Sequence, residues 1–111
     1  MIRRVRRPWL IVMSASILCA GGMLRAQTAE STRITVKNFM FSPIPLTVHV
    51  GTTVTWTNLD DEPHTAVSDT GAFRSGAMDT NESFSFKFDK PGAYHFTCSI
   101  HPRMVGTIVV Q

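Results

Sequence analysis

From residue 33 onward, apolar and polar positions alternate in short runs separated by turn-forming residues, the period of strands that bury one face. Ile34 and Val36 share a face of the first run; Leu46, Val48 and Val50 share a face of a later one that ends at Gly51, and Val54 and Trp56 follow. Phe84, Phe86 and Phe88 alternate up to the turn Lys90-Pro91-Gly92, Tyr94, Phe96 and Cys98 share the next face, and Thr107 to Val110 close the chain. No stretch carries a convincing helical period. The pattern predicts an all-β fold of seven to eight short strands, packed as an antiparallel β-sandwich with Greek-key connections. It also orients two histidines. His49 alternates against Val48 and Val50, and His95 against Tyr94 and Phe96, so both are expected to point away from the core as solvated strand histidines.

The first residues break this pattern. Arg3, Arg4, Arg6 and Arg7 precede an apolar run from Trp9 to Leu24, followed by Leu24-Arg25-Ala26 and the polar stretch QTAEST. This order predicts an export signal cut after Ala26. The apolar run of sixteen residues is interrupted by Ser14, Ser16 and Gly21-Gly22, and it is shorter than the ~20 residues that cross a bilayer. Stable membrane insertion after cleavage is therefore not expected. Cys19 lacks the small residue ahead of it that lipidation needs. Arg6-Arg7-Pro8-Trp9-Leu10 resembles a twin-arginine signal, so the Sec and twin-arginine routes both stay open. The expected division is an export signal over 1–26, a short tail over 27–32 and one domain over 33–111.

Removing the signal changes the reading of charge and of cysteine. The chain has 11 Lys and Arg against 8 Asp and Glu, but five of the arginines lie in residues 1–26. Residues 27–111 carry six basic and eight acidic side chains, a net charge of about −2. The basic balance of the whole chain is thus no sign of a nucleic-acid partner. Of the two cysteines only Cys98 remains, and an unpaired thiol in an oxidising compartment is a liability unless something occupies its sulfur.

Cys98, His101 and Met104 fall at three-residue intervals in YHFTCSIHPRMVGTIVV. The turn between the last two strands is tight, so side chains at its start, middle and end converge, and Pro102 restrains it. A thiolate, two imidazoles and a distant thioether describe a copper electron-transfer site. The second imidazole must come from elsewhere, and His64, in NLDDEPHTAV where a loop enters the sandwich, is the best-placed candidate. Zinc is a poorer match because a thioether is a poor zinc ligand. Haem attachment and iron–sulfur clusters need more cysteines. A thiol hydrolase built on Cys98 would need an oriented base, an oxyanion hole and a cleft, for which a small domain of short strands leaves little room.

The stretches FMFSPIPLTVHVGTTVTWTN, EPHTA, GAFRSG, SFSFKFDKPGAYHFTC and HPRMVGTIVV span nearly all of residues 27–111. Through them the sequence resembles the cupredoxins, and within these the amicyanin-like and plastocyanin-like blue copper proteins. The resemblance implies a cupredoxin-like sandwich with one copper ion per chain, bound by His64, Cys98, His101 and Met104. The two residues between His101 and Met104 match the short amicyanin-type loop. It further implies a small exported, periplasmic electron carrier that is not an enzyme and works as a monomer. Redox partners would dock near His101, with Met40, Phe41, Pro43 and Ile44 as candidates for the rest of the surface or as core. A copper carrier or chaperone using the same ligands is the alternative. Asp60, Asp61 and Glu62 are either a patch that steers a basic partner or a solvated turn. Thr65 stands where such proteins often place an asparagine that ties the ligand loops together, and Ile100 where many have proline.

Overall fold

The computed structural model describes residues 30–111, so the expected export signal lies outside the described residues. Eight strands follow in order: β1 (Ser31–Lys37), β2 (Met40–Ser42), β3 (Leu46–Val48), β4 (Thr52–Asn58), β5 (Val67–Ser68), β6 (Ser83–Phe88), β7 (Gly92–Thr97) and β8 (Val105–Val110). They form two four-stranded sheets, ordered β2-β1-β4-β6 and β3-β8-β7-β5. No helix among the described residues is long and apolar enough to cross a membrane. β1 begins at Ser31, so residues 31 and 32, assigned by sequence to the tail, already pair with Thr53 and Val54.

Only β1–β2 and β7–β8 are joined within a sheet; every connection from β2 to β7 crosses between sheets. The expected β-sandwich is present, and its antiparallel pairing holds for all but two of the strand pairs. β4 returns beside β1 and β8 beside β3 running the same way, and both pairs are parallel. The remaining pairs are antiparallel.

The alternation in the sequence becomes the inside and outside of this sandwich. Ile34, Val36, Val54, Trp56, Phe88, Phe96, Ile108 and Val110 are buried, with Phe73 from the β5–β6 connection among them. Trp56 on one sheet meets Phe96 on the other edge to face at 5.5 Å, and Phe41 meets Phe96 at 4.8 Å. Gly106 is paired with Phe96 in the β7–β8 ladder, and a Cβ there would intrude on the Phe96 ring. The glycine is thus what lets the ring lie across the ladder. His49 and His95 are exposed, as the alternation predicts. Val50 is also exposed, because β3 ends at Val48 and the chain turns through Gly51 at a φ of 91°.

Candidate metal centre

β4 ends in Asn58, which is fully buried and shapes the loop beyond it. Its side-chain amide donates to the carbonyls of Glu62 and Met78 at 2.8 Å each, and its oxygen accepts the Asp60 N–H at 2.9 Å. The curled segment delivers His64 to a two-bond bridge with Met78, N to O 3.1 Å and 2.8 Å. His64 is thereby held inside the fold with no exposed surface.

The second segment is the β7–β8 turn. Cys98 lies one residue beyond β7 and Met104 one residue before β8. The Cys98 N–H donates to the Met104 carbonyl at 3.0 Å, and the Met104 N–H donates to the His101 carbonyl at 2.9 Å. These two bonds fold the turn back on itself, so its start, middle and end come together. Cys98 is fully buried, Met104 is buried, and the His101 side chain keeps 29% of its surface exposed.

The donor atoms of His64, Cys98 and His101 all lie within 4.8 Å of one another. Both imidazoles present Nδ1 to the Cys98 sulfur, each at 3.8 Å. Metal–sulfur and metal–nitrogen bonds of about 2.3 and 2.0 Å, lengths typical of zinc, at trigonal angles separate sulfur and nitrogen by about 3.7 Å. The two sulfur–nitrogen spacings therefore match those around a trigonal ion. Two imidazoles and a thiolate suit one copper ion in either oxidation state.

The sulfur is prepared for this role. Burial pushes the Cys98 thiol up, but the Thr65 amide, the imidazoles of His64 and His101 and the Ile100 amide together bring it down to about 6. It is thus a thiolate at neutral pH, the form that binds metals. The Thr65 N–H lies 3.4 Å from the sulfur and the Thr65 hydroxyl 3.9 Å from it. The same hydroxyl accepts the Ser99 N–H at 2.8 Å and bonds the Ser99 hydroxyl at 2.8 Å. Thr65 therefore ties the two ligand loops together despite standing where asparagine is usual in the resembling proteins. Ile100 likewise has a consequence: unlike proline it carries an N–H, and that amide helps hold the thiolate.

One expectation needs correction. Asp60 is neither a steering charge nor a solvated turn residue: its side chain is 12% exposed and its carboxylate lies 2.9 Å from Nε2 of His64. Burial pushes its carboxyl up, but the amides of Phe39 and Asn38 and the His64 ring hold it below its ordinary value. Phe41 belongs to the core, where it packs on Phe96, and Ile44 packs against that core. Met40 and Pro43 are exposed. The sequence reading missed Phe39, whose ring stands edge-on to both His64 and His101 at 5.3 and 5.0 Å. It sits in a two-residue turn between β1 and β2, outside any alternating run, so periodicity carried no signal for it. Glu62, in the acidic turn, brings a carboxylate oxygen within 3.6 Å of Nε2 of His101.

A family model described as a cupredoxin-like domain matches residues 9–110. Amicyanin-alpha of Methylorubrum extorquens is 31% identical over 115 residues, covering 92% of this chain and 92% of that protein. Plastocyanin of Scenedesmus fuscus is 38% identical over 85 residues, or 65% of this chain and 87% of that one. Among solved structures, a purple cupredoxin from Nitrosopumilus maritimus superposes with a TM-score of 0.68 at 35% identity, covering 72% of this chain and 99% of that one. With the two-sheet architecture and the histidine–cysteine–histidine group at one end of it, these matches show that the chain belongs to the cupredoxin-like family.

Proposed function

We propose that the protein is an exported blue copper protein that holds one copper ion with His64, Cys98, His101 and Met104 and carries single electrons between redox partners. The observation that supports this best is the pair of Nδ1 atoms equidistant from the fully buried Cys98 sulfur at 3.8 Å. Bound copper supplies a one-electron Cu(II)/Cu(I) couple. The chain's part is to keep Cys98 ionised, to hold both imidazoles on separate but tied loops, and to exclude water from the sulfur. Because the turn is closed by backbone bonds at Cys98 and Met104, the donors need little rearrangement between oxidation states, which keeps the barrier to transfer low. Met104 would hold the ion weakly through its thioether in this reading.

His101 is the donor that reaches the surface, and the exposed residues Phe39 and Ile100 lie beside it. A redox partner docks there against the ring edge, and the protein acts as a monomer in the periplasm. A copper-delivery role would use the same donors, but the complete burial of His64 and Cys98 favours retention over release. The test is reconstitution with Cu(II). One ion per chain and an intense visible thiolate charge-transfer band, lost in Cys98→Ser, are expected. A band that survives Cys98→Ser refutes the assignment, and copper passing to a chelator faster than electrons exchange favours delivery.

A further inference from the structure

Three donors point at the carboxylate of Asp60. Oδ1 accepts the Asn38 N–H at 2.7 Å, Oδ2 accepts the Phe39 N–H at 2.9 Å, and Oδ2 also lies 2.9 Å from Nε2 of His64. Asn38 and Phe39 have φ values of 53° and 59°. Two successive left-handed residues, the second aromatic, are strained and persist only where the surroundings impose them. Here the turn aims both amides into one concavity, and the carboxylate fills it.

The donor count also sets a proton. An ionised carboxylate only accepts hydrogen bonds, so the hydrogen between Asp60 and His64 belongs to Nε2 of the imidazole. A neutral His64 then carries its lone pair on Nδ1, the atom 3.8 Å from the Cys98 sulfur. On the other side of the same clamp, the Phe39 ring is nearly perpendicular to both imidazoles, at 89° to His64 and 82° to His101. It remains 46% exposed, so part of Phe39 faces solvent while its ring meets the two imidazoles at right angles.

We propose that Asp60 is a positioning residue of the metal centre, setting His64 as the tautomer with a free Nδ1 and, through the Asn38–Phe39 turn, planting Phe39 as a cover over both imidazoles. The inference rests on the reading of His64 as a ligand. Its electrostatic consequence is a preference for the more highly charged ion, because a negative charge lies directly behind one imidazole. Its steric consequence is slower exchange of the metal. Asparagine is nearly isosteric with Asp60 but cannot replace it. It has one oxygen for three donors, and its NH2 group must face an N–H whichever way the amide is turned.

Nitrogen-15 NMR of the copper-free wild-type protein is the first test. His64 protonated at Nε2 is expected, and protonation at Nδ1 overturns the proposal without any variant. In copper-loaded Asp60→Asn, the preference for Cu(II) over Cu(I) is expected to fall about tenfold, a rise of about 59 mV in a one-electron potential. The amides of Asn38 and Phe39 should exchange hydrogen at least tenfold faster. An unchanged potential together with unchanged exchange overturns the proposal. Phe39→Ala is expected to speed copper loss to a chelator at least tenfold while leaving the His64 tautomer unchanged, and an unchanged rate removes the cover from the proposal. If the protein takes up no copper, the electron-carrier reading fails, while the tautomer, measured without copper, still decides the role of Asp60.

Discussion

The amide of Thr65 points at the sulfur of Cys98 from 3.4 Å, while the hydroxyl of the same residue bonds both the amide and the hydroxyl of Ser99. One small side chain thus joins segments more than thirty residues apart in sequence. Thr65→Val keeps the backbone N–H and the shape but deletes the hydroxyl. We expect a loss of about 1 kcal/mol, read as a fall in the melting temperature of the copper-free protein of about 4–8 °C. A melting point unchanged by the substitution would mean that the loops are held together by other contacts.

The depressed Cys98 thiol makes the stability of the copper-free protein depend on pH. The folded value is about 6 against an ordinary value of 9.0. Between these limits the unfolded chain binds more protons at this sulfur than the folded one, so stability rises with pH there. The contribution is complete above about 9 and is lost as the pH falls through about 6. Denaturant unfolding at pH 6, 7.5 and 9, compared with Cys98→Ser, isolates it. The difference between the two proteins should grow across that range, and parallel curves would contradict the thiolate.

The Ile100 amide is a donor that proline would remove. A donor to the thiolate draws electron density from the sulfur and favours the reduced ion. Ile100→Pro is therefore expected to lower the reduction potential and to raise the thiol pKa of the copper-free protein. Voltammetry that shows a rise would reverse this account of the amide.

Met104→Leu preserves the buried volume and removes the thioether. If Met104 is a weak axial ligand, the blue band persists and the potential rises. Loss of all copper binding in this variant would make the methionine an essential ligand.

Gly106→Ala places a methyl group against the Phe96 ring. Overpacking of this kind costs typically about 1–3 kcal/mol, and Phe96 lies on the strand that ends just before Cys98. A reduced denaturation midpoint, with a visible band shifted by displacement of the sulfur, is the expected result. Full wild-type stability would mean that the ring has room to move.

The faces of the strands were legible because burial alternates with the backbone pleat, as at Val54 and Trp56 or at Ile108 and Val110. The approach of His101 to Cys98 was legible because a short turn brings its start and middle together. Asp60, Thr65 and Phe39 play parts that no spacing announces. Each acts on a residue brought near by the fold: Asp60 on the Asn38–Phe39 turn, Thr65 on Ser99, Phe39 on two rings from different loops. Asp60 also looked like one more member of an acidic run, and its low exposure, its amide partners and its contact with His64 distinguish it from the exposed Asp61 and Glu62.

The ends of the two sheets bear on how such a molecule behaves in company. Three of the four edge strands, β2, β3 and β5, are three, three and two residues long. The longer edge, β6, sets Lys87 in its ladder beside exposed Ser83 and Ser85. Short edges and an edge lysine leave a second chain little backbone to add to. If a redox partner docks at the ring edge of His101, as proposed, contacts made there can form and dissolve without competing against strand addition.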